Sequence, residues 1–122
     1  MKLIIAGTRT LNFGAGNIET IIKQKGISGI KEIVSGGATG VDSNGQDYAA
    51  WNELRCKVFK PDWETYGRAA GPIRNRQMAE YADALLLIWD GKSHGSRSMK
   101  MEMQTLGKPI YEVVLPYAPQ NS

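Results

Sequence analysis

Residues 34–42 read VSGGATGVD: an apolar run ends at a glycine pair, and a helix-compatible segment opens with a valine and a carboxylate. Glycines placed directly after a strand allow positive φ and close approach of backbone to ligand. A helix that starts just beyond them offers unpaired N–H groups and the positive end of its dipole. That combination suits an anion, most naturally a phosphate. The same glycines would serve a plain strand-to-helix turn, and Asp42 would suit a first helical turn on dipole grounds alone. Beside a phosphate, its carboxylate would hold a ribose hydroxyl or a Mg²⁺ ion, and the sequence leaves that choice open.

Other patterns carry less. GKSHG at 91–95 has the G-x-S-x-G spacing of a hydrolase nucleophile elbow, but no histidine follows His94 to complete a triad around Ser93. The GKS within it lacks the leading glycine of a phosphate-binding P-loop, because Leu86 stands at that position. GAGNIE, near the N-terminus, lacks the third glycine of a dinucleotide fingerprint. With one His, one Cys and scattered carboxylates, no metal-ligating spacing emerges, and no metal site is expected.

These residues need elements to position them. Residues 2–6, 32–34, 56–59, 83–89 and 109–114 read as short apolar strands. Between them, Ile18, Ile21 and Ile22 recur at helical spacing behind Asn17 as an N-cap, with Gly26 as the stop. A helix is expected over 41–54, a third from Pro72 after a loop of about a dozen residues, and a last one carrying Met99, Met103 and Leu106 on one face. Strand and helix alternate throughout, which predicts a single α/β, Rossmann-like doubly wound domain: a mainly parallel sheet of about five strands with helices on both faces. Ligands of such sheets lie beyond the C-terminal strand ends. The loops there, GTRTLNFGAG, SGGATG, KPDWETYGRAAG and DGKSHGS, hold Arg9, Trp63, Tyr66, Arg68, Lys92 and His94, with Arg97 beside them.

Length and composition agree with one folded domain. The 122 residues suffice for one core and are too few for two; 42% hydrophobic and 22% charged residues exclude a disordered class. The apolar run ALLLIW at 84–89 is far below the roughly 20 residues of a membrane helix. A single cysteine, Cys56, and a first strand too short for a signal-peptide core point to the cytoplasm, with Cys56 expected as buried filler. The net charge of +3 fits an anionic ligand and is too small to argue for duplex DNA. Residues 115–122, with two prolines, read as a loose tail behind a 1–114 domain.

Five spaced stretches coincide: GTR after the first strand, SGGATGVD after the second, FKPDWETYGRAAGPIRNRQM, ADALLLIWDGKSHGS, and GKPI before the last strand. Together they resemble the SLOG superfamily, a Rossmann-like group that includes the Lonely Guy phosphoribohydrolases and the DprA proteins, with its small YspA-type branch the best match. The resemblance covers residues 1–114. It implies a pocket for a phosphorylated nucleotide or an ADP-ribose or NAD-derived ligand, with no resident cofactor beyond a bound nucleotide and Mg²⁺ as an option. By matched motif, Gly7, Thr8 and Arg9 border that ligand, and Ser35, Gly36, Gly37 and Gly40 seat its phosphate beside Asp42. Arg74 and Asn75 point into the same pocket, which Asp90, Gly91, Ser93, Gly95 and Ser96 close. Arg can grip phosphate through its fork and Asn can read a sugar or base edge. Trp63 and Tyr66 can stack on a base or anchor their own loop.

One departure from the resemblance bears on catalysis. In the Lonely Guy pattern P-G-G-x-G-T-x-x-E the glutamate takes part in N-glycosidic cleavage; the matching stretch here, DGKSHGSRSM, has Met99 at that place. Methionine is neither acid nor base. The leading expectation is therefore a binding module that senses, carries or sequesters a nucleotide. The alternative is a nucleoside 5′-monophosphate phosphoribohydrolase or a related N-glycosidic hydrolase using Asp42, Asp90 or Glu102. A second alternative, by likeness to DprA, is single-stranded DNA along Arg9, Arg68, Arg74, Arg76 and Arg97. The superfamily resemblance also implies a homodimer or larger homo-oligomer, and Met99, Met101 and Met103 crowd one helix in a way that an interface would explain.

Overall fold

Alternate residues of the two central strands face opposite ways, and both directions are buried. The computed structural model describes residues 1–10 and 12–115. Five parallel strands, β1 Lys2–Gly7, β2 Glu32–Ser35, β3 Arg55–Val58, β4 Ala84–Trp89 and β5 Ile110–Val114, stand in the order β3-β2-β1-β4-β5. Leu3 and Ile5 of β1, with Leu86 and Ile88 of β4, pack against Ile18 and Ile22 of helix α1 (Ala15–Gln24) and Tyr48 and Ala49 of helix α2 (Val41–Trp51). Ile4 and Ala6, with Leu85 and Leu87, pack against Met78 and Ala79 of α4 (Ala70–Tyr81) and Met99 and Met103 of α5 (His94–Thr105). Each fully buried Leu or Ile contributes roughly 1.5–3 kcal/mol, so two apolar faces on one sheet hold the four long helices in place. This is the expected α/β architecture, and all six residues of β4 are buried, as its uninterrupted apolar run requires.

Several local expectations are corrected. Asn17 is the third residue of α1, behind a Gly14 N-cap at φ 89°, and its side-chain amide donates to the Phe13 carbonyl at 2.6 Å. Pro72 is likewise the third residue of α4, where its missing N–H costs nothing because first-turn N–H groups have no helical partner. The loop before it contains a short helix, α3 (Trp63–Tyr66), capped by the Asp62 carboxylate, and a 3₁₀ turn at Gly67–Ala69. Cys56 is exposed, because β3 is an edge strand with all four residues exposed. The methionine cluster divides into a buried pair, Met99 and Met103, and an exposed Met101, so one inward stripe accounts for it. Leu106 is exposed as well and does not share that stripe. Leu115 packs on the core and its N–H donates to the Trp89 carbonyl; the rest of the expected tail lies outside the described residues.

Two contacts fix the helices that reach the ligand edge. The Lys108 ammonium donates to the carbonyls of Ala79, Glu80 and Ala82, closing the C-terminus of α4. Gly45 lets α2 lie on β1: a Cβ there would sit 2.9 Å from the Ile5 Cβ, an atom no rotamer change can move. Gly45→Ala would gain about 1 kcal/mol of helix propensity, yet it must push α2 off the sheet, an overpacking cost of about 1–3 kcal/mol. Urea unfolding is therefore expected to show net destabilisation; a stabilised variant would contradict this packing.

Candidate functional site

At the C-terminal strand ends, the loops after β1 and β2 are stitched together. The Val41 N–H donates to the Thr8 carbonyl at 3.3 Å and the Thr39 hydroxyl to the Arg9 carbonyl at 3.0 Å. Gly40, at φ 72°, makes this possible, since a Cβ there would fall 2.5 Å from both of those carbonyl oxygens. Across the sheet, the Thr8 N–H donates to Ile88 O and its hydroxyl accepts from the Asp90 N–H, each at 3.2 Å. The ends of β1 and β4 are thereby locked side by side.

A cavity of about 860 Å³ opens beside this lock, within the usual range for a small-molecule site. Ala6, Met78 and Met99 supply an apolar floor. The first turns of α2, α4 and α5 contribute Asp42; Gly71 and Pro72; and Gly95 and Ser96, with Arg74 following as the fifth residue of α4. Three positive helix ends thus meet one cavity. Arg9 and Lys60 add charge, and among the described residues neither has an ion-pair partner. Trp63, 58% exposed, stands at the rim.

Asp42 is 6% exposed. Burial pushes its carboxyl above the ordinary value of 3.8, against the pull of the Ala38 N–H, the Arg74 guanidinium and the N–H groups of Gly7 and Gly36. The Ala38 N–H reaches Oδ2 at 3.4 Å. The glycine loop therefore turns its amides on a carboxylate of its own chain. Arg74 is lowered, first by burial and then by Arg9, with Asp42 opposing. Its Nη1 donates to the carbonyls of Gly36 and Phe59, and its Nε to Asn75 Oδ1 at 2.9 Å. Asn75, 5% exposed, donates in turn to Ser98 Oγ and the Gly95 carbonyl, tying α4 to α5.

Of the residues expected at the site, Gly7, Arg9, Gly36, Gly37, Asp42, Arg74, Asn75, Ser93, Gly95 and Ser96 line the cavity. Thr8, Ser35, Gly40, Asp90 and Gly91 lie outside that lining. The buried Ser35 hydroxyl accepts from the Gly37 N–H and from Gln46, and donates to the Asp42 carbonyl. Asp90 Oδ1 accepts from the N–H groups of Lys92 and Ser93, which hold its carboxyl below the ordinary value. Glu102 pairs with Arg76 at 3.3 Å. Of the three catalytic candidates, Asp42 alone faces the cavity. Lys60, Ser98 and Met78 line it without having been expected there; Lys60 belongs to a loop the sequence already placed on this edge, while Met78 and Ser98 join only through helix packing.

A divalent cation fits poorly beside Asp42, whose neighbours are N–H donors and a guanidinium; among the described residues no three His, Cys, Asp or Glu side chains come together. Because the folded-state pKa of Asp42 is raised, the carboxyl's favourable contribution is complete below 3.8 and is lost as pH climbs through the folded value. Urea unfolding across pH is therefore expected to show wild type losing stability relative to Asp42→Asn as pH rises from acid. A difference that stays flat or grows with pH would contradict the burial of this carboxylate.

No protein-family model matches the chain. Among solved structures, the DNA processing protein A (DprA) of Streptococcus pneumoniae is similar with a TM-score of 0.74 at 19% identity, over 96% of this chain and 51% of that one. The likeness is one of fold, and the chain spans about half the length of the streptococcal protein. None of the described helices is long and apolar enough to cross a membrane. The Gene 61 protein of Mycobacterium phage D29 is 34% identical over 85 residues, which cover 64% of this chain and 67% of the phage protein. On that identity and coverage, the chain belongs to the family of the phage D29 Gene 61 protein, on a Rossmann-like fold like that of DprA.

Proposed function

We propose that the chain binds a phosphorylated nucleotide, ADP-ribose and other NAD-derived ligands included, and acts by sensing, carrying or sequestering it. The observation that carries this reading is the convergence of three helix N-termini with Arg9, Lys60 and Arg74 on a cavity with an apolar floor. The phosphate belongs at the start of α5: the Ser96 side chain, 5% exposed and lining the cavity, has no hydrogen-bond partner among the described residues, and buried hydroxyls are rarely left so. The base has room between the floor and Trp63. A hydrolase reading would route proton transfer through Asp42, with Met99 in the floor rather than a second carboxylate. A homo-oligomer and a cytoplasmic setting complete the proposal, the first supported by exposed Met101 and Leu106 on one end of α5, the second by the single cysteine.

Calorimetry with AMP, ADP-ribose, NAD and cyclic dinucleotides is expected to show binding of at least one. Arg9→Ala or Lys60→Ala should weaken it about tenfold, the usual scale of a hydrogen bond to a charged group. Mass spectrometry of whatever small molecule denatured protein releases would identify a co-purified ligand. A folded protein that binds none of the four would end this reading.

Exposed aromatics favour a second reading. Trp63 and Tyr66, 58% and 48% exposed, stand in one loop with Lys60 and Arg68, a pattern suited to stacking successive bases of a single strand. Of the arginines expected along this edge, Arg76 is paired with Glu102, and Arg74 and Arg97 donate to backbone carbonyls, which leaves Arg9 and Arg68. Fluorescence anisotropy with a labelled oligothymidylate would then give an affinity that falls steeply as salt is raised and that Trp63→Ala reduces. Absence of binding at low salt would remove this alternative.

A further inference from the structure

Given a nucleotide in the cavity, the geometry points to Asp42 and Arg74 as a joint reader of a sugar hydroxyl, so that the wall formed by the glycine loop holds ribose and not phosphate. The assignment rests on the nucleotide-binding reading above.

The two side chains face each other across the space that a side chain on Gly36 would fill. A Cβ there would lie 2.7 Å from Arg74 Nη1 and 2.9 Å from Asp42 Oδ2. No direct ion pair closes the gap; Nη1 is anchored on the Gly36 carbonyl, and Nη2 has no hydrogen-bond partner among the described residues. Both residues line the cavity.

The charges around this gap select what can enter it. A phosphate would approach a buried carboxylate that already occupies the loop's amides, and like charges at that range repel in a poorly solvated wall. An ammonium or metal ion would approach the guanidinium and the positive end of α2. A hydroxyl meets both neighbours correctly: it donates to Asp42, which only accepts, and accepts from Arg74, which only donates. A phosphate has a separate place at the first turn of α5, where Gly95 and the unpartnered Ser96 line the cavity. Between these two ends the sugar of a nucleotide is the part that reaches Asp42.

Affinities of the native protein for AMP, 2′-deoxy-AMP and 3′-deoxy-AMP, measured by calorimetry, test the assignment. At least one deoxy analogue is expected to bind about tenfold or more weakly than AMP, the scale of a hydrogen bond to a charged group. Asp42→Asn should shrink that discrimination more than it reduces affinity for the deoxy analogue. Three affinities within twofold of one another would overturn the assignment while leaving nucleotide binding intact. So would an Asp42→Asn variant that weakens all three ligands equally, which would make Asp42 a prop of the loop. Should none of the three, nor ADP-ribose, NAD or cyclic dinucleotides, bind the folded native protein, both this assignment and the binding reading would fall. The deoxy series needs only the native chain, so it decides even where the variant does not fold.

Discussion

The parallel pairing of β1 with β4 is the constraint on which the candidate site depends. Chain connections leave these neighbours toward opposite faces of the sheet, α1 after β1 and α5 after β4, and the crevice opens where they part. The pairing runs from Leu3 opposite Ala84 to Gly7 opposite Ile88. At its end a side chain is impossible: a Cβ on Gly7 would lie 1.8 Å from the Ile88 carbonyl oxygen. Thr8 then spans both strands with a backbone and a side-chain hydrogen bond. Without that closure the glycine loop and the start of α5 would not bound one cavity.

Within the crevice the main physical tension is the buried Asp42. Its carboxylate gives up water, and in return receives amides of a loop whose glycines are shaped to offer them. Arg74 stands opposite and is itself held by carbonyls and by Asn75. Asn75 carries the restraint across to Ser98 and Gly95 on α5. Carboxylate, guanidinium and amide thus form one polar strut linking α2, the β2 loop, α4 and α5. It explains why a loop with the composition of a phosphate seat is arranged around a side chain from its own helix.

Much of this was legible in the sequence. Short apolar runs set the strands, glycine after strand marked the turns, and the rule that ligands gather at C-terminal strand ends selected four loops that border one cavity. Element ends were less legible. Pro72 is compatible with any place in a first turn, so it did not mark where α4 begins. Gly14 rather than Asn17 caps α1, because a positive φ, and not a side-chain acceptor, makes that turn. Cys56 is apolar enough for a core yet lies on an edge strand, a fact set by strand order, which local pattern does not encode.

The sequence by itself determined the layered architecture, the burial of β4, and the edge on which unusual residues collect, because hydrophobic period and backbone freedom act over a few neighbouring positions. Only the tertiary structure decided what each polar residue does at that edge. Ser35, Thr8 and Asp90 bind backbone; Asp42 and Arg74 face one another over Gly36; Met78 and Met99 close a floor between helices some 20 residues apart. Those roles depend on distances between groups remote in the chain. Packing sets these distances, and residue type and spacing do not.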